Sequence, residues 1–196
     1  MRRLVRGIAG VAVLAGVAIL SAHFALARLQ VSPKSSGAIL HEERTMTLEL
    51  AGAPETVFPL FGPVCEGVWA PGWQPEFLHP KTGGTGEGTV FTTGGPHGTQ
   101  AIWILSAYDV QRRELQYLQV IPGVMVTELL IHVREGANKN SLVNVTHRWT
   151  TLSPLGETIL AHHLKEFSEQ GPHWQNAINP VLAQGRSCAG AAQATP

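Results

Sequence analysis

From Glu42 onward apolar and polar residues alternate in short runs, and the period of the pattern changes only near the C-terminus. In Glu42–Leu50, Met46, Leu48 and Leu50 alternate with Thr45, Thr47 and Glu49, the period of a strand with one buried face. Ala53-Pro54-Glu55 opens a short helix with Val57, Phe58, Leu60 and Phe61 as its apolar face, and Gly62-Pro63 stops it. After an aromatic, turn-rich stretch (Glu66–Pro75) and a glycine-rich one (Lys81–Gly88), strand patterns recur at Thr89–Thr93, Gln100–Ala107, Glu114–Ile121, Val124–Arg134 and Ser141–Leu152. The tight turns between them, such as Pro122-Gly123, predict an antiparallel meander. In the last strand Val143, Val145, His147 and Trp149 share one face, so the histidine points to the apolar side.

The period then lengthens. Leu160, Leu164, Phe167, Trp174, Ile178 and Val181 fall at steps of three, four and seven, one face of a long helix that begins near Glu157 after a loop at Ser153–Gly156. Gly171-Pro172 lies within the stripe without shifting its phase, which predicts one kinked helix rather than two. The class is α+β, a sheet with a C-terminal helix.

The length of 196 residues accommodates one domain with tails, and a charged fraction of 14% argues against a phosphate-binding surface, hence against nucleic acid. Charge is uneven along the chain. Arg2, Arg3 and Arg6 precede an uncharged run, Gly7–Ala27, ending Ala25-Leu26-Ala27, the form of a secretory signal or of an uncleaved membrane anchor. Either reading places the body outside the cytoplasm, exported or held to a membrane through residues 7–27. Residues 28–40 then form a linker, 41–184 the domain and 185–196 a small-residue tail expected to be disordered. Cys65 and Cys188 could pair in an oxidising compartment, or Cys188 could remain free in the tail.

Several chemistries lack their markers. Gly84-Thr85-Gly86-Glu87-Gly88 leads into a strand without the lysine of a phosphate loop, and no Gly-x-Ser-x-Gly elbow is present. His162 and Glu166, one helical turn apart, are too few for a metal site, so no metal or cofactor is expected.

The order of elements, together with Ala53-Pro54-Glu55-x-Val57-Phe58, Glu66-x-x-Trp69-Ala70-x-Gly72-Trp73-x-Pro75, Gly88-x-Val90-Phe91, Trp103 and Thr151-x-Ser153-x-x-Gly156, resembles the START/Bet v 1-like (SRPBCC) superfamily over about residues 42–184. That superfamily includes polyketide cyclase-like and lipid-transfer proteins. The resemblance implies a helix-grip fold, an antiparallel sheet curved around the C-terminal helix. It further implies an apolar cavity between the two that takes a lipid, sterol or polyketide, with enzymes in the minority. The leader departs from the pattern, since most resembling proteins are cytoplasmic.

On this frame the ligand-facing candidates are Glu66, Trp69, Trp73, Phe91, Trp103, Tyr117, Leu129, Ile131, His147, Trp149, Leu164 and Phe167. Trp69 and Trp73 could stack on a ligand with Glu66 as polar handle, or could plug the end of the sheet as ordinary core. His147 could orient a ligand, act as a base, or be a satisfied core histidine. The expectation is a non-enzymatic carrier. The alternatives are a cyclase-type enzyme using His147 or Glu66, or Tyr117, for proton transfer, and a filled structural module.

Overall fold

The computed structural model describes residues 39–95, 98–186 and 188. The predicted leader and most of the linker lie outside these residues, as does most of the tail. Among the described residues no helix is long and apolar enough to cross a membrane.

Seven strands form one antiparallel sheet: β1 (His41–Leu50), β2 (Glu76–His79), β3 (Val90–Gly94), β4 (Gln100–Asp109), β5 (Glu114–Ile121), β6 (Met125–Glu135) and β7 (Ser141–Thr151). Their order across the sheet is β1-β7-β6-β5-β4-β3-β2. The meander from β3 to β7 follows from its turns. Gly123, at φ 71, closes the β5–β6 connection in a conformation that a residue with a Cβ seldom adopts. Strand β1 then pairs with β7, Met46 opposite Val145 and Leu48 opposite Val143, bringing the first and last strands together.

Burial follows the predicted alternation. On β7, Val143, Val145, His147, Trp149 and Thr151 are buried while Asn144, Thr146, Arg148 and Thr150 are half-buried on the other face. On β6, Met125, Thr127, Leu129, Ile131 and Val133 face inward. A bulge at Leu105–Ala107 resets β4, so that Tyr108 packs with the core and stacks on Phe58.

The inner face is covered by two helical pieces. Helix α1 (Pro54–Val57) continues into a 3-10 turn at Phe58–Phe61 that buries Val57, Phe58, Leu60 and Phe61. Helix α2 (Pro154–Ala183) runs unbroken through Gly171 and Pro172, as a single element. It starts three residues earlier than its apolar stripe suggests. Ser153 is the N-cap, accepting a hydrogen bond from the Gly156 amide, and Pro154 is the first helical residue, where its missing N–H costs nothing. Its Leu160 and Ile178 are fully buried.

Helix α2 also tends the open edge of β1. The Glu49 and Ala51 amides donate to the side-chain oxygens of Gln175 and Asn179, each at 2.8 Å, so two strand-edge donors are satisfied by the helix. The pairing that the sequence leaves open is formed: Cys65 and Cys188 make a disulfide, with their Cα atoms 5.2 Å apart. It ties the loop before Glu66 to the chain beyond α2, and the tail is therefore fixed at residue 188.

Candidate functional site

Pairing and pleat decide which side chains meet between sheet and helix. Phe91 on β3 stands opposite Trp103 on β4, and their rings lie 5.9 Å apart and 4° from parallel. Tyr117 on β5 meets both rings edge-on, at 6.1 and 5.8 Å. Trp73 closes over this pair at 5.7 Å from Phe91 and 5.8 Å from Trp103. A second group forms where β7 faces α2. His147 stacks on Trp149 at 5.1 Å, Phe167 presents its edge to both, and Trp174 lies 6.3 Å from His147 and 5.3 Å from Trp69. Trp103 and Phe167 pack against both halves of the core and join them.

The loop between α1 and β2 carries Trp69 and Trp73 on two hydrogen bonds. Trp69 Nε1 donates to the Leu60 carbonyl at 2.7 Å and Trp73 Nε1 to the Pro63 carbonyl at 2.8 Å. Each indole thus has its polar atom satisfied by backbone and turns its apolar body inward. Tyr117 does the same, its hydroxyl donating to the Phe61 carbonyl at 2.9 Å.

The predicted candidates are accordingly brought to one side of the sheet. Trp69, Phe91, Tyr117, Leu129, Ile131, His147 and Trp149 are buried there. Trp73, Trp103, Leu164 and Phe167 pack against the core yet remain half-buried. Leu164 belongs to the smaller group with Trp149, Ile159 and Leu160, away from Trp73 and Phe91. The ligand-facing candidates do not include Trp174, Phe61 and His163, which the structure brings to the same assembly. Trp174 was visible as one helical heptad beyond Phe167, whereas the part played by His163, stacked on the far side of Trp149 at 6.0 Å, depends on the docking of α2.

Three polar groups in this apolar setting are electrostatically displaced. Glu66 keeps some accessible surface, yet protein encloses its carboxyl closely enough that burial raises its pKa to about 8. Burial also lifts the Tyr117 phenol well above its ordinary value, with further upward contributions from the charges of Glu66 and Tyr108. His147 moves the other way, to about 4, because burial disfavours the imidazolium and a charged His163 would repel it. Between about pH 4 and 8 the Glu66 carboxyl and the His147 imidazole are both uncharged. Nδ1 of His147 is moreover a buried side-chain nitrogen with no hydrogen-bond partner, unlike every other buried side-chain polar atom among the described residues.

Glu66 yields a sign-specific prediction. Its folded pKa lies above its unfolded one, so folded protein holds the proton more tightly, and stability falls as pH rises from the ordinary carboxylate range through about 8. Chemical denaturation of wild type and Glu66→Gln between pH 5 and 9 should show the wild type losing stability relative to the variant. Parallel curves would contradict the buried, neutral carboxyl.

Two described clefts border these groups or the opposite face. A groove of about 540 Å³ runs along α2, lined by His163, Glu166, Glu169, Gln170, His173 and Trp174. It therefore adjoins the His147–Trp149 stack through His163 and Trp174. A larger cleft of about 740 Å³ lies elsewhere, lined by Tyr108, Asp109, Arg112, Glu114, His132 and Asn144 among others. Its lining also includes Val110, Leu115, Leu130 and Ile131. Among the described residues no group of three or more His, Cys, Asp or Glu could hold a metal ion.

No family model and no curated protein matches this chain. Solved structures do. Norcoclaurine synthase from Thalictrum flavum, in complex with dopamine and hydroxybenzaldehyde, aligns with a TM-score of 0.57 at 13% identity over 76% of this chain and 90% of that one. The XoxI protein of Bacillus cereus aligns at 0.52 with 22% identity over 69% and 94% of the respective chains. Ara h 8.0201 aligns at 0.52 with 18% identity over 75% and 99%. At these identities the likeness establishes the fold, the Bet v 1-like helix grip, in agreement with the resemblance carried by the sequence.

Proposed function

We propose that this helix-grip chain binds a small hydrophobic molecule between its sheet and α2, and that it does so as a carrier outside the cytoplasm. Proteins of this fold commonly bind such ligands. The observation that carries the reading here is the state of the inward aromatics. Trp73, Trp103, Phe167 and Trp174 pack against the core, and yet all four keep accessible surface. Rings that are held in place but incompletely covered offer a ligand apolar area to bury at about 25 cal/mol per Å², without the ordering cost of a collapsed site. Trp174 also lines the groove along α2. Export rests on the arginine-flanked apolar run, and the disulfide is at home in an oxidising compartment.

All five tryptophans belong to this aromatic assembly, so their emission reports on it. Titration with Nile red, an uncharged dye, should give saturable one-to-one binding with energy transfer from tryptophan. Trp103→Ala should enlarge the site and shift preference towards bulkier hydrophobic competitors. Absence of saturable binding by the wild type would contradict the proposal.

A further inference from the structure

We propose that the end of the domain at which β1 begins is a membrane-docking surface, with Ile39, Leu40, Leu152 and Leu155 resting in a lipid surface. The inference stands apart from the ligand-binding reading and takes the apolar run 7–27 in its anchor form. Among the described residues six large apolar side chains are exposed, and these are four of them. The fold brings the four to one place. The Leu40 amide donates to the Thr151 hydroxyl at 3.0 Å and the Leu40 carbonyl accepts from the Thr151 amide at 2.9 Å, which sets Leu40 beside the end of β7, with Leu152 directly after it. Leu155 follows in the first turn of α2, beyond the Ser153 cap. The Leu152 amide donates to the Val124 carbonyl, so the exposed Pro122 of the β5–β6 turn adjoins the group. Exposed apolar residues gathered in this way, unlike scattered ones, mark a contact surface.

Position and composition choose lipid as what covers it. The patch includes Ile39, through which the chain enters the domain, and only residues 28–38 separate it from the end of the apolar run at Ala27. A stretch of that length reaches at most about 40 Å when fully extended. A surface tethered so close to a bilayer meets it at high effective concentration, so a few partly exposed aliphatic side chains suffice where they would not hold a free protein. The patch is made of leucine and isoleucine and has none of the Trp, Tyr or Arg anchors on which protein interfaces depend. Its neighbours Glu42 and Glu157 are acidic, so the contact is apolar insertion and not attraction to anionic head groups.

The test places a benzophenone-bearing residue at Leu40, Leu152 or Val110 of the full-length, disulfide-bonded protein in phosphatidylcholine vesicles, and identifies by mass spectrometry what each captures under light. Val110 is also exposed, but it follows β4 at the opposite end of the sheet, on the side of Asn144 rather than Thr150. At the rise of a strand those two rows lie about 20 Å apart. The expected result is lipid adducts at Leu40 and Leu152 and little lipid at Val110. Leu152→Asp with Leu155→Asp should cut lipid capture at Leu40 by about tenfold, the combined worth of two partly exposed leucines. Both side chains are exposed, so the double variant should stay folded and remain in the vesicles. Should it not fold, the wild-type pattern at the three positions decides by itself. Equal lipid capture at Leu40 and Val110 would show a domain tethered but not docked, and would overturn the inference. Capture of a second copy of the chain at Leu152 would make the patch a protein interface and overturn it as well, as would the absence of lipid adducts or their survival in the double variant. None of these outcomes bears on whether the domain binds a small hydrophobic molecule.

Discussion

Replacing Gly156 with alanine is expected to destabilise the protein by about 3 kcal/mol or more, at the upper end of what overpacking a well-filled site costs. A Cβ at this position would stand 2.1 Å from the Val124 carbonyl oxygen and 3.1 Å from its carbon. The obstacle is backbone, which cannot swing aside as a side chain can. It is also fixed, because the same carbonyl accepts a hydrogen bond from the Leu152 amide at 2.8 Å and the turn that presents it closes β5 onto β6. The first turn of α2 therefore docks directly on that turn, and lifting it by the width of a methyl group would disturb Ile159 and Leu160, both buried just beyond. Denaturant unfolding of Gly156→Ala beside Leu155→Ala, which alters an exposed neighbour, provides the check. Equal stabilities of the two variants would show that α2 does not start against the β5–β6 turn.

The second large effect concerns the disulfide. Cys65 and Cys188 are separated by 123 residues, and a cross-link closing so long a loop removes much of the freedom of the unfolded chain, worth about 4–5 kcal/mol in the chain-entropy account. The bond also holds the loop of Glu66, Trp69 and Trp73 against the chain that follows α2. Cys65→Ser with Cys188→Ser should lower the unfolding free energy by about that amount and increase the mobility of Trp69 and Trp73, seen as a loss of near-ultraviolet circular dichroism. A double variant as stable as the wild type would indicate that the two cysteines are not joined in the folded protein.

How much of this was legible in the sequence depends on whether the cause was local. The alternation in β7 was readable because one face meets the core and the other does not, and Val143, Val145, His147 and Trp149 do lie inward. The stripe from Leu160 to Val181 was readable for the same reason. Strand β2 was not. Its four residues are mostly exposed, with no alternation to see, and it exists because Phe77 pairs with Phe91 on β3. The Ser153–Gly156 segment reads as a loop by composition, although its serine is a cap, its proline a first helical residue and its glycine a point of close approach.

Within the site, the sequence named most of the rings but not which would touch. Phe91, Trp103 and Tyr117 meet because register across three strands puts them side by side, and register is set by the whole sheet. Neither the enclosure of the Glu66 carboxyl nor the unpartnered Nδ1 of His147 has any local signature, since both are properties of what surrounds a group after folding.

Native mass spectrometry of the full-length protein, extracted gently from the cells that make it, tests the central claim most directly. The account predicts a species heavier than the chain by one small molecule, which is released on unfolding and passes into an organic phase. A chain carrying no such mass, and gaining none after incubation with a hydrophobic extract of the same cells, would contradict it.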